Sequence, residues 1–286
     1  MAFNPADDQY LNDHSWFSEV HAPAGCALSW QIEAQLARVE TQYQTIEIYQ
    51  TRDWGRLMAI DGFVMLTTRD NFLYHEMLTH PALFSHGQAK NVLIIGGGDC
   101  GTLQQVLQHK QVKSVVQCEI DEQVTRLSEQ YFPELCADND DVRAKLVFDD
   151  GLAWIRNAKP GSLDLIIVDS TDPIGPAEGL FGPEFVAHCF AALADDGLLV
   201  QQSESPLLHQ ELIAGIRSNM QHAGFATIKT LGFPQPCYPS GWWSCTQARK
   251  KGRIEAVTPT TFDNSGIMTR YFNPGVHLGA LATRLP

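Results

Sequence analysis

The stretch NVLIIGGGDCG, residues 91–101, decides the fold of this chain. Its four consecutive apolar residues predict a strand buried on both faces, and the glycines that follow have the G-x-G-x-x-G spacing at Gly96, Gly98 and Gly101. Glycines at such a turn let a ligand approach the backbone where the next helix begins. Because glycine turns also serve as plain connectors, the motif alone leaves the ligand open.

The residues that follow extend this strand and turn into an α/β sheet. From about residue 90, short apolar runs alternate five times with longer amphipathic stretches. The predicted strands are NVLIIGG, SVVQCEI, AKLVFDD, LDLIIVDS and GLLVQQS, and the fourth predicted helix is PEFVAHCFAALADD. The alternation predicts a Rossmann-like, methyltransferase-type, mostly parallel sheet with helices on both faces. Towards the C-terminus, FATIKTLGF and GWWSCTQA predict two antiparallel strands.

The first 67 residues show a different pattern. The segments TQYQTIEIYQT and WGRLMAIDGFVML have a period of two and turn at Asp53 and at Asp61-Gly62, which predicts hairpins of a small antiparallel sheet. A helix should follow, with Thr67 or Thr68 as its cap. We therefore expect an N-terminal antiparallel β domain in residues 1–67 and a methyltransferase-like α/β catalytic domain in residues 68–286.

Acidic residues follow the predicted strands at the edge where open α/β sheets bind ligands. Glu119 stands eighteen residues after Gly101, where a carboxylate can accept hydrogen bonds from both ribose hydroxyls. Asp150 and Gly151 follow the next strand, where they suit the amino group and the ring of an adenine. Asp99 lies inside the glycine loop and would repel a pyrophosphate. The sequence therefore favours an adenosyl sulfonium, such as S-adenosylmethionine, over a dinucleotide.

The stretch LIIVDSTDPIGP, residues 165–176, ends a fourth strand with two more carboxylates, Asp169 and Asp172. With the three acids above, they would bring five carboxylates to one crevice, where each pair at 4 Å costs up to about 4 kcal/mol at an effective dielectric of 20. A ligand with several positive charges, such as a protonated diamine, would offset this repulsion. Mg²⁺ stays open as another neutralising ligand, and an Asx-turn would explain Asp172 without any ligand.

The composition restricts the class of protein. A formal net charge of −13 disfavours nucleic acid, which binds patches of Lys and Arg. No stretch approaches the roughly 18–20 apolar residues of a membrane helix, and the opening MAFNPADDQY lacks a secretion signal, so we expect no membrane contact and a cytoplasmic location. The 7 cysteines form no C-x-x-C pair, and the histidines of the first helix lack ligand spacing, so we expect neither a disulfide framework nor a bound metal.

Several segments together resemble the spermidine synthases, a family of polyamine aminopropyltransferases. The similarity runs through YQTIEIYQT, LMAIDGFVMLTTRDNFLYHEM, VLIIGGGDCG, DSTDPIGPAEGLF, YPSG and RYFNPGVH. It implies transfer of an aminopropyl group from decarboxylated S-adenosylmethionine to putrescine, with spermidine and methylthioadenosine as products. The donor would be a co-substrate, with no permanently bound cofactor. We expect the protein to be a homodimer.

The resemblance also implies roles for individual residues. Those placed around the nucleoside are Gln44, Gly96, Gly98, Asp99, Glu119, Asp150, Gly151 and Pro176. Those placed along the polyamine are Tyr74, His75, Asp99, Asp169, Asp172, Gln202 and Tyr238. An amine with a pKa near ~10 needs about 4 kcal/mol to free its lone pair at neutral pH. Asp169 is accordingly expected to accept the proton during attack.

Four residues depart from the family pattern. Met65, Thr68 and Asn71 stand where polar or acidic residues are common, and Cys100 replaces a glycine. They leave the preferred acceptor open among putrescine, cadaverine, agmatine and spermidine. Two other hypotheses stay open. One is a methyltransferase of small amines, which Asp99 disfavours; the other is a paralogue that binds polyamines or nucleosides without turnover.

Overall fold

The computed structural model describes residues 15–173, 175–283 and 285. Its first sheet is antiparallel and follows the chain order across the sheet. The strands are β1 (Trp16–His21), β2 (Cys26–Glu40), β3 (Thr45–Thr51), β4 (Arg56–Ile60) and β5 (Phe63–Thr67). The predicted hairpin turn at Asp61-Gly62 is confirmed, and both residues have positive φ, 50° and 87°.

The first sheet curls so that its two edge strands approach each other. β1 and β5 lie at opposite ends of the strand order, yet the backbone N–H of Val64 donates to the carboxylate of Glu19 at 2.8 Å. The sequence analysis did not delineate β1 and β2. This curl therefore brings Glu19 of β1, a strand that was not predicted, next to β5, the last strand of the first sheet.

The second sheet has seven strands and confirms the predicted fold class. The strands are β6 (Asn91–Gly96), β7 (Ser114–Glu119), β8 (Ala144–Phe148), β9 (Leu163–Asp169), β10 (Leu193–Gln202), β11 (Thr227–Pro234) and β12 (Trp242–Arg249). Their order is β11-β12-β10-β9-β6-β7-β8, with antiparallel pairing only for β12 with β10 and with β11 in the described residues. The sheet is thus mostly parallel, with the two predicted antiparallel strands at one edge.

The α-helices of the described residues are α1 (Asn71–His86), α2 (Gly101–Leu107), α3 (Glu122–Tyr131), α4 (Gly151–Arg156), α5 (Pro183–Ala192), α6 (Gln210–Ala223), α7 (Pro259–Ser265) and α8 (Pro274–Ala282). Those from α2 to α6 follow the strands in the order that the alternation predicts, whereas α7 and α8 were not predicted. In residues 15–173, 175–283 and 285, no helix is long and apolar enough to cross a membrane. The division into domains at residues 67 and 68 stays a prediction.

Two local predictions were wrong. The segment 193–196 belongs to β10 and not to the preceding helix, because buried Leu193 pairs in register with Leu163 of β9. The cap of α1 is Asp70 and neither predicted threonine; Thr67 instead donates its hydroxyl proton to the Asp70 carboxylate at 2.6 Å. In both cases a tertiary contact outweighs the local sequence signal, since the Asp70 carboxylate also accepts the backbone N–H of Cys237 at 2.9 Å.

The order of the strands creates a crevice between β6 and β9. The chain proceeds from β6 to β7 and β8 on one side, then returns to β9 and β10 on the other. Loops that leave β6 and β9 therefore diverge, which is where doubly wound sheets bind ligands. Alternate side chains of the two strands are buried on opposite faces of the sheet: Ile94 and Ile167 pack in one apolar cluster, and Leu93 and Ile166 pack in another. Both faces of the central strands are covered.

Candidate active site

A cavity of about 270 Å³ lies at this crevice, between the carboxyl ends of the central strands and the first sheet. Its wall contains all five carboxylates whose convergence the sequence analysis expected, together with most of the other selected residues. The selected residues on this wall are Gln44, Tyr74, Gly96, Gly98, Asp99, Glu119, Asp150, Gly151, Asp169, Asp172, Pro176 and Tyr238. The cavity thus joins strand ends from the second sheet to side chains from the first.

The glycine loop lets β6 and β9 meet at the bottom of the cavity. Gly96 is in register with Asp169 and has φ of 81°. A Cβ on Gly96 would lie 2.1 Å from the carbonyl oxygen of Asp169, and the N–H of Gly97 donates to that same oxygen at 2.7 Å. Any side chain at residue 96 would push the two strands apart. The loop therefore fixes the backbone of Asp169.

Glu119 ends β7 and faces the cavity beside the glycine loop. Its carboxylate accepts the backbone N–H of Asp121 at 2.9 Å, and Gln44 donates to the carboxylate of Asp121 at 3.1 Å. This chain of contacts connects the first sheet to the second. Burial, together with the charges of Asp121 and Asp169, raises the pKa of Glu119 to about 7. Hydroxyl groups that donate to this carboxylate would favour its ionised form.

Asp150 and Gly151 form the next part of the wall at the start of α4. The Asp150 carboxylate caps this helix by accepting the N–H of Leu152 at 2.8 Å. A Cβ on Gly151 would lie 2.5 Å from a methyl carbon of Ile95, so glycine lets the helix start close to β6. Pro176 is exposed at the rim, in a short 3₁₀ helix at residues 175–181. These contacts leave a flat, partly apolar slot.

Asp169 lies at the centre of the cavity and is held from two sides. Tyr74 donates its hydroxyl to one carboxylate oxygen at 2.7 Å, and Thr102 donates to the other at 2.6 Å. Burial and the nearby charge of Asp99 raise the pKa of Asp169 to about 6. A carboxylate has about four lone-pair positions. Two therefore stay open for a ligand, while the two hydroxyl groups fix the orientation of the side chain.

Asp99 follows Gly98 in the glycine loop and pairs with His75. The imidazole Nε2 of His75 lies 3.1 Å from the Asp99 carboxylate, and the N–H of Gly101 donates to the other carboxylate oxygen at 2.7 Å. Burial alone would lower the pKa of His75, but the charges of Asp99 and Asp169 raise it overall. His75 was expected to line the channel. It is instead 2% exposed behind Asp99, where it positions that carboxylate.

A second compartment of about 40 Å³ adjoins the main cavity past Asp169. The two share Tyr74, Asp172 and Tyr238 as wall residues, and Gln202 lies on the wall of the smaller one. The Tyr238 hydroxyl donates to the carbonyl oxygen of Met65 at 2.6 Å. Burial raises the pKa of both tyrosines well above the usual value, so both phenols remain protonated donors.

Two further acids in the small compartment escaped the sequence analysis. Glu204 is buried at φ of 62°, and burial together with the neighbouring charge of Asp172 holds its pKa well above the usual value. Burial raises the pKa of Glu19 to about 7. Glu204 follows β10 at the same sheet edge as the other acids, a signal that could have revealed it. Glu19 lies in β1, for which no motif was available.

The family departures differ in where their side chains lie. Met65 lines both compartments, so an apolar surface faces the cavity there. Thr68 instead fills the space above Gly55, where a Cβ would lie 1.8 Å from its hydroxyl oxygen. Only Met65 of this pair alters the cavity wall.

The helix that carries Tyr74 and His75 is fixed by the next residue. The buried carboxylate of Glu76 accepts three backbone N–H groups, from Arg270 at 2.7 Å, Tyr271 at 2.9 Å and Phe272 at 2.7 Å. Three charge-assisted hydrogen bonds compensate the burial of this acid. The segment near the C-terminus therefore holds α1 in place against the cavity.

The described residues offer no metal centre. Among them, no group of three or more His, Cys, Asp and Glu side chains is arranged to hold a metal ion. The acids of the cavity are held by tyrosine and threonine hydroxyls, backbone N–H groups and His75. The fold and the cavity together define the class of α/β enzymes that bind a ligand at the carboxyl edge of a mostly parallel sheet.

Comparisons with known proteins agree with this class. The chain matches the family models described as "Spermine/spermidine synthase domain" at residues 71–258 and "Spermidine synthase tetramerisation domain" at residues 15–68. It is 57% identical to a polyamine aminopropyltransferase of Xanthomonas campestris pv. campestris over 94% of this chain and 95% of that protein. A similar enzyme of Xanthomonas axonopodis pv. citri is 56% identical over the same shares.

Solved structures give the same result. A spermidine synthase in complex with the transition state analogue AdoDATO has a TM-score of 0.91 and 32% identity, covering 96% of this chain and 93% of that one. The spermidine synthase of Thermotoga maritima has a TM-score of 0.89 and 32% identity, covering 96% and 92%. The chain therefore belongs to the spermine/spermidine synthase family of aminopropyltransferases.

Proposed function

We propose that this enzyme transfers the aminopropyl group of decarboxylated S-adenosylmethionine to putrescine, giving spermidine and methylthioadenosine. One observation carries the proposal: Asp169 lies where a nucleoside slot, marked by Glu119 and Asp150, meets an acidic compartment that contains Asp172 and Glu204. The relatives named polyamine aminopropyltransferase and the structural neighbour with a transition state analogue support it.

The donor would occupy the main cavity. Glu119 and Gln44 would hold the ribose hydroxyls, and Asp150, Gly151 and Pro176 would surround the adenine. Asp99 would bind the ammonium group of the aminopropyl chain. Ordinary S-adenosylmethionine carries an additional carboxylate next to that ammonium group, and Asp99 would repel it. The glycine loop supports this arrangement because a residue without a side chain leaves room for the nucleoside.

The acceptor would extend from Asp169 into the small compartment. Glu19, Asp172 and Glu204 would bind its far ammonium group, while Gln202 and Tyr238 would line its path. Because the pKa values of Glu19 and Glu204 are raised, these acids would release protons when a cation binds. A diamine would thus replace protons as the compensating positive charge.

Asp169 would act as the base in the transfer itself. The near amine would donate a proton to Asp169 and attack the carbon next to the sulfonium, forming a C–N bond as the C–S bond breaks. The sulfur would leave as the neutral thioether of methylthioadenosine. Tyr74 and Thr102 hold the carboxylate, so that its free lone pairs can face the amine.

A direct assay tests this function. The purified protein is incubated with decarboxylated S-adenosylmethionine and, separately, putrescine, cadaverine, agmatine and spermidine, and the products are identified by mass. We expect spermidine and methylthioadenosine in equal amounts from putrescine. Methyl transfer when both donors are offered would support a methyltransferase instead. Calorimetric binding of methylthioadenosine without any product would support a binding paralogue.

We also propose that the chain assembles with copies of itself and works in the cytoplasm. The match of residues 15–68 to a family model described as a tetramerisation domain supports self-association. Light scattering coupled to gel filtration will distinguish the homodimer expected from sequence from a tetramer. A monomer at assay concentrations would contradict the proposal.

A further inference from the structure

Two cysteine thiols meet behind the glycine loop, on the side away from the cavity. Cys100 is buried and stands at the N-cap of α2, whereas Cys136 is half-buried in the loop after α3. The two thiols interact, which lowers the pKa of Cys100 and raises that of Cys136. Each also contacts a carbonyl oxygen of the loop at 3.6 Å, Cys100 that of Gly98 and Cys136 that of Asp99. The pair therefore directly adjoins the residues that shape the donor site.

We propose that Cys100 and Cys136 are a redox-sensitive pair that a peroxide converts to an intramolecular disulfide, and that this disulfide weakens donor binding. The effect on the donor rests on the proposed function, while formation of the disulfide does not. No other two cysteines of the described residues interact with each other, and exposed Cys26 in β2 provides an internal reference.

The chemistry is a two-electron oxidation with hydrogen peroxide as the oxidant. The pKa of Cys100 is lowered by its contacts with Cys136 and Gln117, whereas that of Cys136 is raised, so Cys100 is the better nucleophile of the two. Its sulfur attacks one peroxide oxygen, the O–O bond breaks, and the thiol proton leaves with the released hydroxide as water. The sulfur of Cys136 then attacks the resulting sulfenic acid, forms the S–S bond and releases a second water.

The disulfide would move the glycine loop. An S–S bond is about 2.05 Å long, far shorter than a hydrogen bond between thiols, so Cys100 must shift towards the loop of Cys136. Cys100 has φ of 68° and directly follows Asp99, whose carboxylate depends on contacts with His75 and Gly101. A displaced Asp99 would bind the ammonium group of the donor less well. Loss of one hydrogen bond to a charged group weakens binding by about tenfold or more.

The test uses the full-length protein, fully reduced and then treated with hydrogen peroxide. After the remaining thiols are blocked with N-ethylmaleimide, peptide mass spectrometry without reductant should find Cys100 linked to Cys136. Calorimetry should show about tenfold weaker binding of decarboxylated S-adenosylmethionine, restored by dithiothreitol. Cys136→Ser should abolish the linked peptide and the loss of affinity, and Cys26→Ser should leave both unchanged.

A second variant is included in case Cys136→Ser does not fold. Cys100→Gly places at φ of 68° the residue that tolerates it best, so this variant should fold and resist peroxide. Absence of the linked peptide from the oxidised protein would show that Cys100 and Cys136 do not form a disulfide. A linked peptide with unchanged donor affinity would show that the disulfide does not affect donor binding. If the reduced protein binds no donor at all, the proposed function is wrong, and so is the proposed effect of the disulfide on donor binding. The presence or absence of the linked peptide still shows whether the disulfide forms.

Discussion

The two ends of the cavity, the proposed donor end and the proposed acceptor end, are built in different ways. The donor end takes Gly96, Asp99, Glu119 and Asp150 from successive strand ends of one sheet, and backbone contacts hold its loop in place. The acceptor end collects side chains that are far apart in the sequence, from β1, α1, and the loops after β9, β10 and β11. Local motifs can therefore specify the first end, whereas the second exists only after both sheets have packed together.

The acids proposed to bind ammonium groups at the two ends also differ in how they hold charge. At the donor end, Asp99 is paired with His75 and with a backbone N–H group. At the acceptor end, burial raises the pKa values of Glu19 and Glu204, and the charge of Asp172 raises that of Glu204 further. These two acids can therefore change their charge when a cation enters. In the proposed reaction, Asp169 lies between the two ends and takes part in both.

The strongest test removes the residue where the two ends meet. We expect Asp169→Asn to lower kcat by about 10²-fold or more, because the amide keeps the shape of the side chain but cannot accept the proton. Methylthioadenosine affinity should remain within about twofold. Steady-state kinetics and calorimetry measure the two quantities, with the exposed Asp263→Asn on α7 as the control. Near-normal turnover would exclude Asp169 as the base.

A second test disturbs the donor end alone. In Gly98→Ala, the new Cβ would lie 2.8 Å from a methyl carbon of Val124 and 3.0 Å from the Glu119 carboxylate. We expect about tenfold weaker donor binding, about 1.4 kcal/mol, with little change in the KM for putrescine. Gly215→Ala is the matched control because no heavy atom lies within 4 Å of its Cβ. Equal losses for both substrates would show that the two ends are not independent.

The pH dependence of activity tests the role of Asp169 in the enzyme without any substitution. Asp169 can accept a proton only when ionised, and its pKa is raised to about 6. Activity should therefore be lost as the pH falls through 6, well above the range for an ordinary aspartate. We expect kcat/KM for putrescine to be about tenfold lower at pH 5 than at pH 7. A profile that stays flat down to pH 5 would contradict the assignment.

The smallest expected effect concerns the acceptor end. Glu204→Gln keeps the size of the side chain and tolerates φ of 62° as well as glutamate does, but it cannot become negative. We expect the KM for putrescine to rise about fivefold to tenfold, since one partly screened charge pair is lost, while donor affinity stays constant. Initial rates at varied putrescine measure this, and the exposed Glu211→Gln on α6 is the control. Weaker donor binding in Glu204→Gln would contradict the view that the two ends bind their substrates independently.

Much of this architecture could be predicted from sequence because its signals are local. The apolar run before Gly96 and the acids at the ends of β7, β8 and β9 can each be recognised from a short contiguous stretch of sequence. Glu19 could not be found in this way, since a lone acid in an edge strand has a role only once β1 curls onto Val64. The start of β10 at Leu193 was missed for a similar reason, because its pairing with Leu163 joins residues thirty positions apart.

The carboxylate of Glu76 gives the end of the chain an influence on catalysis. Tyr74 and His75 owe their position to a helix whose inner face is tied to the backbone at Arg270, Tyr271 and Phe272. Removing those residues would leave a negative charge buried without partners. Segment 270–272 thus supports the cavity from almost two hundred residues further along the chain, and a chain cut before it should lose activity before it unfolds.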